Sequence, residues 1–429
     1  MIVTARPKIG LTLILISLLL PNFYNYLNTS GAILLNGLLI LILASLLIIQ
    51  LKNKILFKSQ ISKDIFTLYI ILLGSFLLLI PISSFIGIFV NDNIIILRDF
   101  YELHRPVFYL LIFIFMYLSF RDKNLLDKIH IPINIIFGII VLIGMLQFFR
   151  VLPDLTMSYT KLSNHVTRRI SAPFPNPYDY GFVMIFFSIY YFMQLIEIGK
   201  KYLLFFLLAS LMVLLTQSRA SFIGLLTTFL VFIPVYLLFY SIKFNPLRIH
   251  RRYLFLIFFL LLTITAGLTI VLVFSDSFLY LIKGIEKIFE NPIYNGVTTA
   301  RWEQIAFIKT QLEDSFATVL LGNGPSKGVM DDVESIYSYF IYRYGLIGLL
   351  FGFLIPIFFT AMLSNSMAIK FRDNPQRIGF LLAVTIWLIV VPIISIAGNH
   401  TEQIRVSFLH YSLIAFIVAQ YTFFTSQKE

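Results

Sequence analysis

The chain has 429 residues, 59% of them apolar and only 13% charged, with no cysteine and a formal net charge of +12 at pH 7. Soluble globular chains carry about 25% charged residues, so an ordinary soluble domain is excluded. The lack of cysteine excludes disulfides and thiolate metal sites. The positive balance does not imply nucleic acid: Lys and Arg gather on the cytoplasmic loops of membrane proteins, and no basic cluster here is interleaved with an RNA-type motif.

Apolar runs of nearly the length needed to cross a hydrocarbon core of about 30 Å recur along the chain. They predict an all-α integral membrane protein of about twelve spans. The spans fall near 9–21, 31–51, 65–90, 105–120, 131–149, 180–197, 202–216, 220–240, 253–274, 335–363, 378–398 and 406–424. The chain thus divides into transmembrane helices over 1–274, a large polar loop over 275–334, and three further spans over 335–429. The first span has a charged start and an apolar core with no small-residue cleavage site after it, so it reads as uncleaved. No internal repeat is visible.

One set of loops carries the larger share of Lys and Arg, among them Arg6, Lys8, Lys52, Lys54, Lys58, Lys63, Arg121, Lys123, Lys128, Lys200, Lys201, Arg251, Arg252, Lys370, Arg372 and Arg377. The positive-inside rule puts these loops and both termini in the cytoplasm, and turns 150–179 and 275–334 outward. In the outward loop, Phe278, Leu281, Ile282, Ile285, Ile288 and Phe289 recur at helical spacing, predicting a helix lying in the interface. A second helix is predicted from about 300 to 321, with Thr299 as N-cap, Gly322 as its stop and a stripe of Trp302, Ile305, Leu312 and Phe316.

Four polar constellations stand out. Arg168 and Arg169 precede the Pro-restricted turn Ser171-Ala172-Pro173-Phe174-Pro175-Asn176-Pro177; the arginine fork suits phosphate oxygens, whether of a substrate or of lipid headgroups. Thr216-Gln217-Ser218-Arg219 lies between two apolar runs with almost no loop. A cation at such a place faces a cavity or partner, or snorkels to the interface. Arg301, in the first turn of the predicted loop helix, is poorly matched to the helix dipole and suits an anionic ligand or plain solvent. Finally, Gly322-Asn323-Gly324 leads to Asp331, Asp332 and Glu334 at the start of a span. These glycines do not form a P-loop. The acids read as a dipole-matched cap, as a general base, or as oxygen ligands for a divalent cation. His165 sits three residues before Arg168, and His400 and Glu402, like Arg98, Glu102 and Arg105, could also reach an outward cavity.

The four pieces, in this order, resemble the O-antigen ligase and repeat-unit polymerase superfamily of bacterial envelope glycosyltransferases. The resemblance covers roughly 166–348: an Arg-x-Ser-x-x-Phe-x-Asn-Pro turn from Arg169 to Pro177, Thr-Gln-Ser-Arg from Thr216 to Arg219, Ala-Arg-Trp at Arg301, and Gly-Asn-Gly before a span that passes Gly345-Leu346-Ile347-Gly348. It implies a fold of the C type in the bacterial plasma membrane, needing no cofactor or metal. It also implies an undecaprenyl-diphosphate-linked oligosaccharide as substrate, with a chain-length regulator as a protein partner. Arg168, Arg169, Arg219 and Arg301 would hold the diphosphate. The ligases of this family carry a His-Asn pair where this chain has Glu334 and Ser335, and a Glu where it has Arg343. That departure favours a polymerase, with Glu334 as base and Asp332, His165 and Arg343 as accessory groups. The alternatives are a ligase or protein O-oligosaccharyltransferase and, outside enzymes, a flippase for the same lipid-linked sugars. On one straight helix Glu334 and Arg343 would point about 180° apart, so a shared pocket requires an irregular start.

Overall fold

The computed structural model describes residues 2–21, 37–46, 48, 60–160, 164, 169–236, 269, 296–313, 315–330, 333–400 and 403–426, with the backbone alone for 2–6, 60–64, 296–302 and 313. Helix makes up 82% of it, and there is no strand among the described residues. The helices used below are α1 (Ile2–Leu19), α2 (Gly37–Leu46), α3 (Gln60–Asn91), α4 (Leu97–Phe120), α5 (His130–Phe148), α6 (Pro177–Glu197), α7 (Leu203–Leu215), α8 (Arg219–Tyr236), α9 (Gly296–Glu313), α10 (Phe316–Leu321), α11 (Ile336–Lys370), α12 (Pro375–Ile394) and α13 (Ile404–Ser426). Eight of the described helices are long and apolar enough to cross a membrane, and α2 is a shorter apolar helix. The chain is an all-α, multi-pass membrane protein. Apart from residue 269, the predicted span at 253–274 lies outside the described residues, as does the interfacial helix at 278–289.

Burial sorts centre from rim. The apolar stretch of α6 is 89% buried and that of α12 83%, against 39% in α5. Helix α6 packs between α7 and α12, and α13 lies along α4. Lipid tails are as apolar as leucine, so close packing and interhelical hydrogen bonds hold such bundles together. Aromatic rings supply much of the packing: Phe182 meets Trp387 edge-on at 4.5 Å, and Tyr109 stacks on Tyr411 at 4.4 Å. Small residues admit the close crossings. A Cβ on Gly181 would lie 2.3 Å from the Ser221 hydroxyl, so glycine there lets α6 and α8 approach.

Two predicted elements are built differently. The loop helix expected from 300 to 321 is two helices, α9 and α10, because the chain turns extended at Ser315 (φ −156°, ψ 129°). Gly322 does end the second one, at φ +75°. The break changes the buried face: Ile308 is 5% exposed, whereas Phe316 of the expected stripe is 76% exposed. Because α9 starts at Gly296, Arg301 falls beyond the first turn, and the dipole argument for it weakens. The side chains of Arg301 and Trp302 lie outside the described residues. Helix α11 is also interrupted, at Gly345 (φ 64°, ψ −168°).

At the end of the bundle where α12 begins, Arg377 grips Asp127 in a two-pronged pair, Nε to Oδ1 at 2.6 Å and Nη2 to Oδ2 at 2.7 Å. The hydrogen bond from Arg377 holds the Asp127 carboxyl below the usual carboxylate range. A depressed folded-state pKa contributes stability above the unfolded value of about 3.9 and loses it as pH falls through the folded one. Asp127 is 45% exposed, so the contribution is no more than about 1 kcal/mol. Asp127→Asn should therefore melt slightly below wild type at pH 7 in detergent. The gap should close as pH drops below about 3.9.

Candidate functional site

The helix α4 opens with Asp99, whose Oδ2 accepts the Ile96 backbone N–H at 2.8 Å and whose Oδ1 accepts the Lys327 backbone N–H, also at 2.8 Å. One turn on, Glu102 is 1% exposed. Its Oε1 faces Lys327 Nζ at 2.6 Å and Arg343 Nη1 at 3.4 Å. Its Oε2 faces Arg105 Nη1 at 3.0 Å and accepts the Tyr339 hydroxyl at 2.9 Å. Arg105 Nη1 also donates to that hydroxyl at 2.8 Å, and the Arg343 guanidinium sits 4.8 Å above the Tyr339 ring. A buried carboxylate is tolerated only when paired and hydrogen-bonded. Here one is surrounded by three cations, and even counting Asp99 the cluster keeps one positive charge in excess.

A broken helix brings these groups together. At Gly345 the backbone leaves helical geometry, which frees the carbonyls of Tyr342 and Arg343. They accept the N–H groups of Asn323 at 2.9 Å and Gly324 at 2.8 Å. The Gly-Asn-Gly loop is thereby zipped onto α11, and Asn91 Nδ2 fixes Asn323 Oδ1 at 2.5 Å. Glycine is required on both sides: a Cβ on Gly322 would lie 2.4 Å from the Arg343 carbonyl carbon, and one on Gly345 2.3 Å from that of Leu320. This zipper delivers Lys327 and Arg343 to Glu102. The glycines thus serve a close backbone approach rather than a phosphate cradle.

A second group lies at the same end of the bundle. Ile170 N–H donates to the Leu215 carbonyl at 3.1 Å, and Arg169 Nε to the Thr216 carbonyl at 3.3 Å. The Arg169–Pro177 turn, with its cis Ala172-Pro173 bond, therefore rests on the Thr216–Arg219 knot. Gln147 clamps the turn from α5: its Oε1 accepts the N–H groups of Ser171 and Ala172, both at 2.8 Å, and its Nε2 donates to the Arg169 carbonyl at 2.9 Å. Ser218 caps α8 by accepting the Ser221 N–H at 3.3 Å, which sets Arg219 as the first helical residue. Gln147→Leu would leave two buried N–H donors unpaired, which predicts a loss of at least about 2 kcal/mol. A lowered melting temperature in detergent, with reduced activity, checks this.

The two groups flank the end of α12. Gly224 of α8 packs on Ile394, and the Ile336 N–H at the start of α11 donates to the Ser395 carbonyl at 3.3 Å. Glu334 lies in the lead-in to α11 rather than on the helix, half-buried, with its N–H donating to Gln304 of α9 at 3.3 Å. The irregular start that a shared pocket with Arg343 requires is thus present. Arg343 itself turns inward to Glu102 and donates to the Met330 carbonyl at 3.1 Å. Arg168, His165, Asp331, Asp332 and Glu402 lie outside the described residues.

Three features escaped the sequence reading. Lys327 and Tyr339 join the Glu102 cluster across more than two hundred residues of chain, which no local pattern announces. Asp179 and His400 form a buried pair at 3.5 Å, with the imidazole stacked on Phe182. Arg405, 3% exposed, ties the carbonyls of Ser17, Leu20 and Pro173 together and lies over Tyr159. The one available signal was the spacing of Glu102 and Arg105, a turn apart at a helix start.

No protein-family model matches the chain, and no curated protein matches it either.

Proposed function

We propose that the chain is a membrane glycosyltransferase that polymerises undecaprenyl-diphosphate-linked oligosaccharide repeat units for O-antigen, capsule or exopolysaccharide. The observation that carries this reading is the seating of the Arg169 turn on the Thr216–Arg219 knot, which sets two arginines on adjacent loops at one end of a membrane bundle. Guanidinium groups in a partly desolvated site suit the diphosphate of a leaving lipid carrier. In the reaction, a sugar hydroxyl of the acceptor unit attacks the anomeric carbon of the donor chain. The bond from that carbon to the diphosphate breaks, and undecaprenyl diphosphate leaves with the electron pair. Arg168, Arg169, Arg219 and Arg301 hold the diphosphate.

Glu334 takes the hydroxyl proton. Glu102 is unsuited to that role, because three cations hold its carboxylate. Arg343, Arg105 and Lys327 add positive potential and position the Gly-Asn-Gly loop. The finer architecture belongs to the same proposal: twelve spans of the C type, the large loop facing outward, both termini in the cytoplasm, and the bacterial plasma membrane as the site of action.

The test is alanine replacement of Arg169, Arg219 and Arg301, one at a time, in a polymer-producing strain. Single repeat units in place of long chains are expected, and normal long-chain polymer from all three variants would reject the assignment. A deletion separates polymerase from ligase, because loss of a ligase leaves long polymer on the lipid carrier.

A further inference from the structure

The bundle holds a second feature that this reaction does not use. A cavity of about 430 Å³ separates α5 from α13 and is closed by α1, α6 and α12. That is within the range of roughly 300–1,000 Å³ that small ligands fill. Its walls are nearly all hydrocarbon, from Leu11 and Ile14 on α1 to Ile133 and Ile136 on α5 and Trp387 on α12; the polar exceptions on the inner wall are His410 and Ser412. Water gains little in such a space, because it finds few of the polar partners it needs. A hydrocarbon chain recovers the dispersion contacts that an empty cavity forfeits.

Two observations identify the occupant. At one end the lining includes Lys8 and Lys128, both exposed. Neither lies within ion-pair distance of a carboxylate among the described residues. This is the end of the Asp127–Arg377 pair, away from the Arg169 turn: the far end of α1 meets Arg405 and Pro173, while Leu125 bonds Gln420 near the end of α13. The second observation is depth. The lining on α13 runs from Phe416 back to Val406, roughly 15 Å at about 1.5 Å per residue. A single acyl chain, which spans half of a hydrocarbon core of about 30 Å, matches that length; the inner end of the stretch lies beside Arg405. A polyprenyl chain with its diphosphate at the arginine end would leave the two lysines without an anion.

We propose that this cavity binds an acyl chain of an anionic phospholipid from the leaflet on the lysine side, with the lipid phosphate between Lys8 and Lys128. Its lysine mouth lies at the other end of the bundle from the Arg169 turn, and the proposal stands whether or not the glycosyl-transfer function holds.

The test is native mass spectrometry of the full chain in detergent, titrated with phosphatidylglycerol, with phosphatidylcholine of the same chains, and with undecaprenyl phosphate. Phosphatidylglycerol should bind roughly tenfold more tightly than phosphatidylcholine, since each lysine near an anionic headgroup adds attraction. The surface double variant Lys8→Ala/Lys128→Ala should lose that preference while keeping the wild-type melting temperature. Ile133→Trp, which fills the cavity, should lose both phospholipids; if it fails to fold, the lysine variant decides. Equal binding of the two phospholipids, an unchanged preference in the lysine variant, lipid retained by folded Ile133→Trp, or displacement of phosphatidylglycerol by undecaprenyl phosphate would each overturn the proposal.

Discussion

Glu102→Gln should destabilise the protein by about 3–5 kcal/mol, the usual cost of removing one partner from a buried ion pair. Glu102 is 1% exposed and is the carboxylate that Lys327, Arg343 and Arg105 all face. Without its charge, three cations confront one another where water screens them poorly, and like charges at such separations repel by several kcal/mol. The Tyr339 hydroxyl also loses an ionised acceptor. A second, milder variant separates charge from packing: Lys327→Gln in the Glu102→Gln background removes one of the repelling cations and should recover stability relative to the single variant. A melting temperature unchanged by Glu102→Gln would show that the cluster is solvated and not a buried hub.

Gly345→Ala should be at least as damaging. Its φ of +64° with ψ of −168° is a conformation essentially confined to glycine, costing another residue about 1–3 kcal/mol, and the new methyl would lie 2.3 Å from the Leu320 carbonyl carbon. The overlap is with backbone, so relief requires α10 and α11 to separate. Separation breaks the Asn323 and Gly324 hydrogen bonds to the Tyr342 and Arg343 carbonyls, each worth about 0.5–1.5 kcal/mol. The combined loss of roughly 3 kcal/mol or more would withdraw Lys327 and Arg343 from Glu102. The expected outcome is a sharp fall in the yield of monodisperse protein from membranes. Gly138→Ala in α5 is a useful control: no atom lies within 4 Å of its added Cβ, and it should accumulate better than Gly345→Ala. Equal yields would mean that the break in α11 is not required.

The single helices were legible because hydrophobic runs of membrane length are a strong signal. Spans expected at 131–149, 180–197 and 406–424 appear as α5, α6 and α13 with ends shifted by at most a few residues. The Arg169 turn and the Thr216–Arg219 knot were legible as polar islands, and their meeting could be expected only through the family resemblance. The Glu102 hub was not legible. It depends on which helices neighbour one another and on a broken helix, and a glycine inside an apolar run gives no sign that it will adopt positive φ. Arg405 carries no local sequence signal of its role, which is to hold three backbone carbonyls of other segments. Long-range pairing of this kind is decided by packing geometry, which periodicity along one segment does not encode.

The most direct measurement is a reconstituted reaction. Purified protein in vesicles is given undecaprenyl-diphosphate-linked repeat units, and both glycan length and released undecaprenyl diphosphate are followed. The account predicts that the glycan lengthens with one carrier released per new linkage, and that Arg169→Ala and Arg219→Ala stop both while the protein stays folded. Carrier that remains fully loaded, or chain growth unaffected by either substitution, would contradict it.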